Sequence, residues 1–167
     1  MSLRADGDAD GAGGNDLLLD EQVCFALYAA SRAVTDVYRP LLTELDLTYP
    51  QYLVLIVLWE RDSRTVKEIG AALQLDYGTL SPLLKRLEAR GLVVRNRQAA
   101  DERSVAIALT PKGVALRDRA AEIPGNIACA LGMEAGTRRE LIATLRELTE
   151  AVRTPEAGRP ARPVEDQ

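Results

Sequence analysis

Histidine is absent from all 167 residues, and cysteine occurs only twice, as Cys24 and Cys129. Without an imidazole neither a Ser-His-Asp nor a Cys-His catalytic arrangement can be assembled, and most transition-metal sites lose their commonest ligand. Two thiols so far apart in sequence also make a poor structural zinc site. No Gly-rich loop follows a strand pattern, so nucleotide binding has no support. Hydrolase or transferase chemistry has no residues to carry it; no enzyme, metal or cofactor is expected. No apolar run has the length, roughly 20 residues, that crosses a bilayer. The first residues also lack the basic-then-apolar order of a signal peptide. The expected compartment is the cytoplasm, where two cysteines serve as buried fillers or as redox-active thiols rather than as a permanent staple.

Aromatics are scarce too, with one Phe, one Trp and five Tyr, and the abundance of Ala and Leu favours helix. The net charge of −4 argues against a nucleic-acid partner at first sight. Its distribution argues the other way. Residues 65–113 hold eight Lys or Arg and five Asp or Glu, so that stretch is +3 (8 − 5) and the remainder −7 (−4 − 3). The footprint is local, and two copies would double it.

That basic stretch has the order helix, turn, helix, strand, polar tip, strand. Val66, Ile69 and Leu73 give a short helix one apolar stripe, and Gln74 to Asp76 read as a turn. Asp76 is a good N-cap for a second helix, in which Leu80, Leu83, Leu84 and Leu87 repeat at helical spacing. Its opposite face carries Tyr77, Thr79, Ser81, Lys85 and Arg86, groups suited to base edges and phosphates in a major groove. Pro82 makes the first turn of this helix irregular in expectation. Gly91 ends it, Leu92 to Arg95 reads as a strand, and Ser104 to Leu109 alternates with Val105, Ile107 and Leu109 on one face. Between the strands lies a polar tip from Asn96 to Arg103, where Arg95, Arg97 and Arg103 can reach phosphates or a narrow minor groove. A leucine-striped helix with a basic face is common in itself. The whole order is specific, because each part agrees on one architecture: a mostly α fold with a small β wing, a winged helix-turn-helix.

The rest of the chain reads as scaffold around that reader. Residues 1–18 are Gly- and Asp-rich and expected to be disordered. Asp6, Asp8, Asp10 and Gly11 mimic a calcium loop, but Leu17 stands where that loop needs Glu, so calcium is rejected. Residues 19–62 hold two helices. The first has Asp20 as its expected N-cap, places Cys24 at N4, and runs through Val23, Leu27, Ala30, Val34 and Val37 until Pro40 bends or ends it. The second starts at Thr48-Tyr49-Pro50 and is apolar almost all round from Gln51 to Glu60, with Trp59 as a filler. Residues 63–113 are the reader. Residues 114–153 return to helix: one from Thr110-Pro111 to about Ile123, a segment near Ile127 to Leu131 containing Cys129, and a last one from Thr137 to Val152 striped by Leu141, Leu145, Leu148 and Val152. Residues 154–167 are expected to be disordered. Helices on both sides of the reader, each with an uncovered apolar face, imply a homodimer, and a two-fold presents two recognition helices to successive major grooves.

Cys24 admits two readings. As a small hydrophobe it would simply be buried. Near a helix N-terminus it sits where the dipole favours a thiolate, the form that attacks peroxides. Tyrosine hydroxyls can hold such a thiolate, and Tyr28, Tyr38, Tyr49 and Tyr52 cluster nearby in sequence; the sequence does not tell which of them reach it.

The run LDEQVCFALYAASRAVTDVYRPLLTELDLTYPQYLVLIVLWE, followed by VKEIGAALQLDYGTLSPLLKRLEARGLV and DERSVAIALTPKG, resembles the organic hydroperoxide resistance regulators, a branch of the MarR family of winged-helix repressors. The resemblance spans about Leu19 to Val152. It implies that Cys24 is a peroxide-sensing cysteine, that Tyr38 and Tyr49 hydrogen-bond it across the dimer interface, and that Cys129 matches the resolving cysteine of the two-cysteine branch. Of these, the Cys129 match rests on the loosest motif, GNIACALG. It further implies that Asp101 and Arg103 form the wing motif, the aspartate in support and the arginine approaching DNA. Tyr77 departs from the small serine common in the family. The function so implied is a repressor that binds an inverted-repeat operator in double-stranded DNA when reduced. It is released when an organic hydroperoxide oxidises Cys24 and an intersubunit Cys24–Cys129 disulfide follows. A reversible ligand in the dimer crevice, with inert cysteines, and a thiol peroxidase are the competing expectations.

Overall fold

The computed structural model describes residues 18–98 and 101–153 and does not extend to the side chains of residues 97, 98 and 101–104. Apart from Leu18, both expected tails, with the calcium-like run, lie outside the described residues, as do the side chains of Arg97, Asp101 and Arg103. The described elements run α1 (Val23–Thr43), α2 (Tyr49–Glu60), β1 (Arg64–Thr65), α3 (Val66–Leu73), α4 (Tyr77–Ala89), β2 (Val93–Gln98), β3 (Asp101–Leu109), α5 (Pro111–Ala120), α6 (Ile123–Leu131) and α7 (Ala135–Arg153). Two compact units divide between Ile123 and Pro124. The architecture is mostly α with a small antiparallel sheet, as the sequence led one to expect.

The start of α1 differs from expectation. Leu19–Glu21 form a separate 3-10 turn, closed by the Gln22 N–H on the Leu19 carbonyl at 3.1 Å. That tight bond draws Gln22 out of the helix, so the N-cap is the extended Gln22 (φ −83°, ψ 109°) rather than Asp20. Cys24 is therefore the second helical residue instead of the fourth. Pro40 also does not end α1, which continues to Thr43. A proline costs only the bond its missing N–H would make to the Asp36 carbonyl, and the turn it enters is nearly the last.

In α2, Thr48 is the N-cap, its N–H donating to Gln51 Oε1 at 2.9 Å, and Pro50 occupies the first turn, where no N–H is needed. The helix is buried on nearly every side: Val54, Leu55 and Leu58 are sealed in the core with Leu42 of α1. Trp59 is only half-buried, and its indole N–H donates to the Gly113 carbonyl at 3.0 Å, tying α2 to α5. Gly113 has to be glycine, since a Cβ there would stand 2.1 Å from the Leu92 carbonyl oxygen.

The helix pair α3 and α4 is held by its caps. Thr65 and Glu68 form a reciprocal box at the start of α3, with Thr65 N–H to Glu68 Oε2 at 2.7 Å and Glu68 N–H to Thr65 Oγ1 at 3.2 Å. Asp76 opens α4 by taking the Thr79 N–H (2.8 Å) and the Thr79 hydroxyl (2.9 Å). That cap keeps α4 helical from Tyr77 despite Pro82, so the expected irregular first turn does not occur. At the other end Gly91 takes φ +66°; its N–H bonds the Glu88 carbonyl at 2.8 Å and the Leu92 N–H bonds Leu87 at 3.0 Å, a Schellman motif. Leu80, Leu84 and Leu87 are fully buried, as are Ile69 and Ile107, and each leucine is worth roughly 1.5–3 kcal/mol of transfer free energy toward holding α4 in the core.

The sheet has the order β1-β3-β2. β2 and β3 form a hairpin in the register Val93↔Leu109 to Arg97↔Val105, with a shift between Arg97 and Gln98. Both strands reach further into the tip than the sequence suggested. β1, two residues long, pairs Arg64 with Ile107 and was not foreseen, because two residues show no alternation. In the second unit α6 starts earlier than expected, at Ile123, since Pro124 falls in its first turn. α7 leaves Leu141, Leu145, Leu148 and Val152 exposed. Among the described residues no helix is long and apolar enough to cross a membrane.

Candidate functional site

Cys24 stands in the first turn of α1, where unsatisfied N–H groups gather partial positive charge. It is a free and exposed thiol in the single chain, as is Cys129 on α6. The buried-filler reading of Cys24 therefore has no support within one chain. Around it, Val23, Phe25, Leu27 and Tyr28 also face solvent, an apolar surface on the opening turns of the helix. Tyr28 accepts a 3.0 Å bond from Arg32 Nη1, and the guanidinium lies 5.6 Å from its ring centre.

The other tyrosines form a separate cluster. Tyr38 on α1 and Tyr49 at the first position of α2 stack with ring centres 4.7 Å apart, tilted by 48°. Tyr52 joins at 6.0 Å from Tyr38, and Trp59 continues the row at 6.1 Å from Tyr52. Tyr38 and Tyr49 are half-buried, and Tyr52 is buried. Burial pushes the phenols of Tyr38, Tyr49 and Tyr52 above the ordinary tyrosine value of 10.0. Neighbouring phenols add to the rise for Tyr38 and Tyr52. All three are thus neutral hydroxyl donors at neutral pH.

The helix keeps this cluster away from the thiol of its own chain. Cys24 and Tyr38 lie on one continuous α-helix, 14 residues apart (38 − 24), and a rise of about 1.5 Å per residue separates them by about 21 Å. A hydrogen bond between Cys24 and the Tyr38–Tyr49 pair therefore requires two chains.

The reader's outer face is as expected in part. Tyr77, Thr79, Lys85 and Arg86 are exposed, Tyr77 at 68%, and Ser81 is half-buried. The Thr79 hydroxyl is already donated to Asp76. Hydrogen bonds from Thr79 hold the Asp76 carboxyl below its ordinary value. Arg95 differs from expectation. Strand alternation puts Val94 outward, 41% exposed, and turns Arg95 against α4, where its Nε donates to Glu88 Oε2 at 3.0 Å and its Nη2 is buried without a partner. It braces β2 on α4 instead of pointing at phosphates.

Sequence reasoning missed a junction of cations at the helix ends. Arg90, the C-cap of α4, donates through Nη2 to the Leu45 carbonyl at 3.1 Å and through Nη1 to the Asp46 carbonyl, and pairs with Asp46 Oδ2 at 3.0 Å. Arg119 of α5 donates to the Glu44 carbonyl at 3.0 Å, and Lys112 to the Arg90 carbonyl at 2.9 Å. The only signal in the sequence was a run of basic residues near helix ends, where cations meet free carbonyls.

Known proteins similar to this chain are transcriptional regulators. Residues 36–119 match the family model described as transcriptional regulator SarA/Rot. The chain is 54% identical over 109 residues to the organic hydroperoxide resistance transcriptional regulator of Bacillus subtilis, covering 65% of this chain and 74% of that protein. Among solved structures it is similar to reduced AbfR bound to DNA, at 37% identity and a TM-score of 0.70, covering 80% of this chain and 92% of that one. It is also similar to disulfide-formed AbfR, at 36% identity and a TM-score of 0.56, covering 80% and 89%. AbfR is a protein of Staphylococcus epidermidis.

Proposed function

The chain belongs to the organic hydroperoxide resistance regulators, a branch of the MarR family of winged-helix transcriptional regulators, and on that premise we propose that it is a cytoplasmic repressor switched by oxidation of Cys24. As a reduced homodimer it holds an inverted-repeat operator, with Tyr77, Thr79, Ser81, Lys85 and Arg86 of each α4 in a major groove and Arg97 and Arg103 of the wing, supported by Asp101, against the backbone.

The observation that carries this reading is the separation of thiol from tyrosines. Cys24 stands at one end of α1, and two neutral phenols, Tyr38 and Tyr49, meet near the other end. Two α1 helices packed antiparallel about a two-fold bring the thiol of each chain to the phenols of its partner. The apolar residues flanking Cys24 supply a pocket that suits an organic hydroperoxide better than hydrogen peroxide. The thiolate attacks the peroxide's terminal oxygen. The O–O bond breaks, an alcohol leaves, and Cys24 becomes a sulfenic acid. The Cys129 thiol of the partner subunit then attacks that sulfur, releasing water and forming an intersubunit disulfide. AbfR, similar in fold, exists in reduced, DNA-bound and disulfide forms, which supports a redox cycle of this kind. Loss of the tyrosine bonds and the new covalent link shift the two readers out of register, and losing a few phosphate contacts costs orders of magnitude in affinity.

Operator binding followed by fluorescence anisotropy, with non-reducing electrophoresis alongside, tests this. Stoichiometric cumene hydroperoxide releases wild-type protein and yields a covalent dimer. Cys24→Ser stays on the operator, and the covalent dimer vanishes in both Cys24→Ser and Cys129→Ser. Release of Cys24→Ser by peroxide removes Cys24 as sensor; a covalent dimer that persists in either mutant removes the disulfide assignment.

A further inference from the structure

We infer that Arg90 is the positioning residue that couples the tyrosine end of the sensor to the recognition helix; the switching half of this inference rests on the redox reading above. The geometry begins at the reversal between α1 and α2. Tyr38 lies in the last two turns of α1, five residues (43 − 38) before its end, and Tyr49 opens α2, so any movement that separates their rings displaces the turn between them. That turn is strained toward one shape: Asp46 holds φ +53°, and the Asp46 and Leu47 N–H groups fold back on Thr43 and Leu42 at 2.9 Å each.

Across from the turn is the C-terminal half of α4, and the two are separated by an open cleft of about 500 Å³, lined by Thr43, Asp46, Thr48 and Gln51 on one side and Arg86 and Ala89 on the other. Arg90 spans it. Its guanidinium bonds two successive carbonyls, Leu45 and Asp46, and the Asp46 carboxylate. The carbonyls matter more than the ion pair, because the Asp46 side chain is exposed and solvent screens it. A planar guanidinium on two adjacent carbonyls fixes direction as well as distance, which an ammonium cannot do. Arg90 is itself the last turn of α4, braced from behind by Lys112 on its carbonyl. The turn beneath Tyr38 and Tyr49 is therefore gripped by the end of the helix that carries Lys85 and Arg86. A shift of the turn becomes a tilt of the reader.

Arg90→Met keeps most of the stem and removes every donor. With dimer state confirmed by sedimentation and folding by thermal melt, three quantities are read: operator Kd when reduced, the ratio of oxidised to reduced Kd, and the rate of Cys24 sulfenic acid formation trapped with dimedone. We expect the reduced Kd to rise about tenfold and the ratio to fall at least about tenfold, within the range of allosteric couplings, while Cys24 oxidises at the wild-type rate. A merely structural role would lower the melting temperature and leave the ratio unmoved. A lost phosphate contact would lower the salt slope of binding by about one, whereas a lost clamp leaves it unchanged. Wild-type values of reduced Kd and ratio in a folded Arg90→Met dimer overturn the inference, as does slower Cys24 oxidation, which would place Arg90 in the sensor. If Arg90→Met does not fold, Arg90→Lys decides by the same readouts, with a smaller effect of the same sign. Should peroxide fail to release the wild type, the redox reading falls, and the reduced Kd alone judges the clamp.

Discussion

Tyr38 and Tyr49 stack at 4.7 Å across the reversal between α1 and α2, and this contact places two neutral hydroxyl donors where Cys24 of their own chain, at the far end of α1, cannot reach them. A pair of buried phenols has a packing role wherever it occurs. What marks this pair is that it lies half-buried, with the buried Tyr52 beside it and the half-buried Trp59 beyond. Tyr52 holds the fold, and on the redox reading proposed above the hydroxyls of Tyr38 and Tyr49 meet the partner's thiol.

Tyr38→Phe and Tyr49→Phe follow from that division. Each keeps the ring contact and removes one donor, so thermal stability changes by less than about 1 kcal/mol while a charge-assisted bond to the thiolate, worth about 1.5–3 kcal/mol, is lost. Oxidation of Cys24 by cumene hydroperoxide slows by roughly 10- to 100-fold, measured by stopped-flow trapping. An unchanged rate in both variants would falsify the tyrosine assignment.

The raised phenols also fix the alkaline limit of stability. Burial holds Tyr38, Tyr49 and Tyr52 protonated in the folded chain above the unfolded value of 10.0. The folded state then binds more protons than the unfolded one, so the stability these groups contribute is complete below pH 10 and drains away as pH rises through their raised values. Melting temperature followed by Trp59 fluorescence stays flat from about pH 7 to 9 and drops beyond 10. Tyr52→Phe, which removes one such phenol from the core, makes the drop shallower. An equal drop in that variant contradicts the account.

Arg95 and Lys85 separate bracing from DNA contact. Lys85 is exposed on the outer face of α4, whereas Arg95 is turned onto Glu88. Lys85→Ala lowers the slope of log K against log salt by about one and weakens binding to all sequences alike. Arg95→Ala leaves the slope alone and lowers the melting temperature, because Glu88 loses its cation and β2 its brace. Anisotropy titrations at several salt concentrations distinguish them; a shallower slope for Arg95→Ala returns that residue to the interface.

Much of this was legible in the chain. The leucine spacing of α4, the Asp76 and Thr110 caps and the glycine at 91 act within a few residues, so local pattern carries them. Cys24 and four nearby tyrosines stood out as candidates from their closeness in sequence, and only the family resemblance singled out Tyr38 and Tyr49. What escaped depends on pairs distant in sequence. Arg95 read as a wing cation because nothing local reveals that strand alternation turns it onto Glu88. Arg90 went unnoticed because its partners, Leu45 and Asp46, lie across the fold. The displaced cap at Gln22 is a different failure: Asp20 is the better capping residue, but the 3-10 turn satisfied the backbone first.

The second unit makes its own prediction. Leu141, Leu145, Leu148 and Val152 recur at helical spacing along α7 and are exposed in the single chain, with Ile142 beside them. A contiguous exposed apolar stripe of this kind marks an interaction surface, and regulators of this family are dimers. Two protomers that bury such stripes gain roughly 1.5–3 kcal/mol for each leucine sealed, and a single carboxylate in the middle forfeits more than one of those gains. Leu145→Asp is therefore expected to sediment as a monomer at micromolar concentration while keeping the helical circular dichroism of the wild type. A monomer holds one half-site, so its operator affinity falls by at least about 100-fold, since the two half-site energies no longer add. A Leu145→Asp dimer with unchanged operator affinity would show that α7 is covered by something other than its copy.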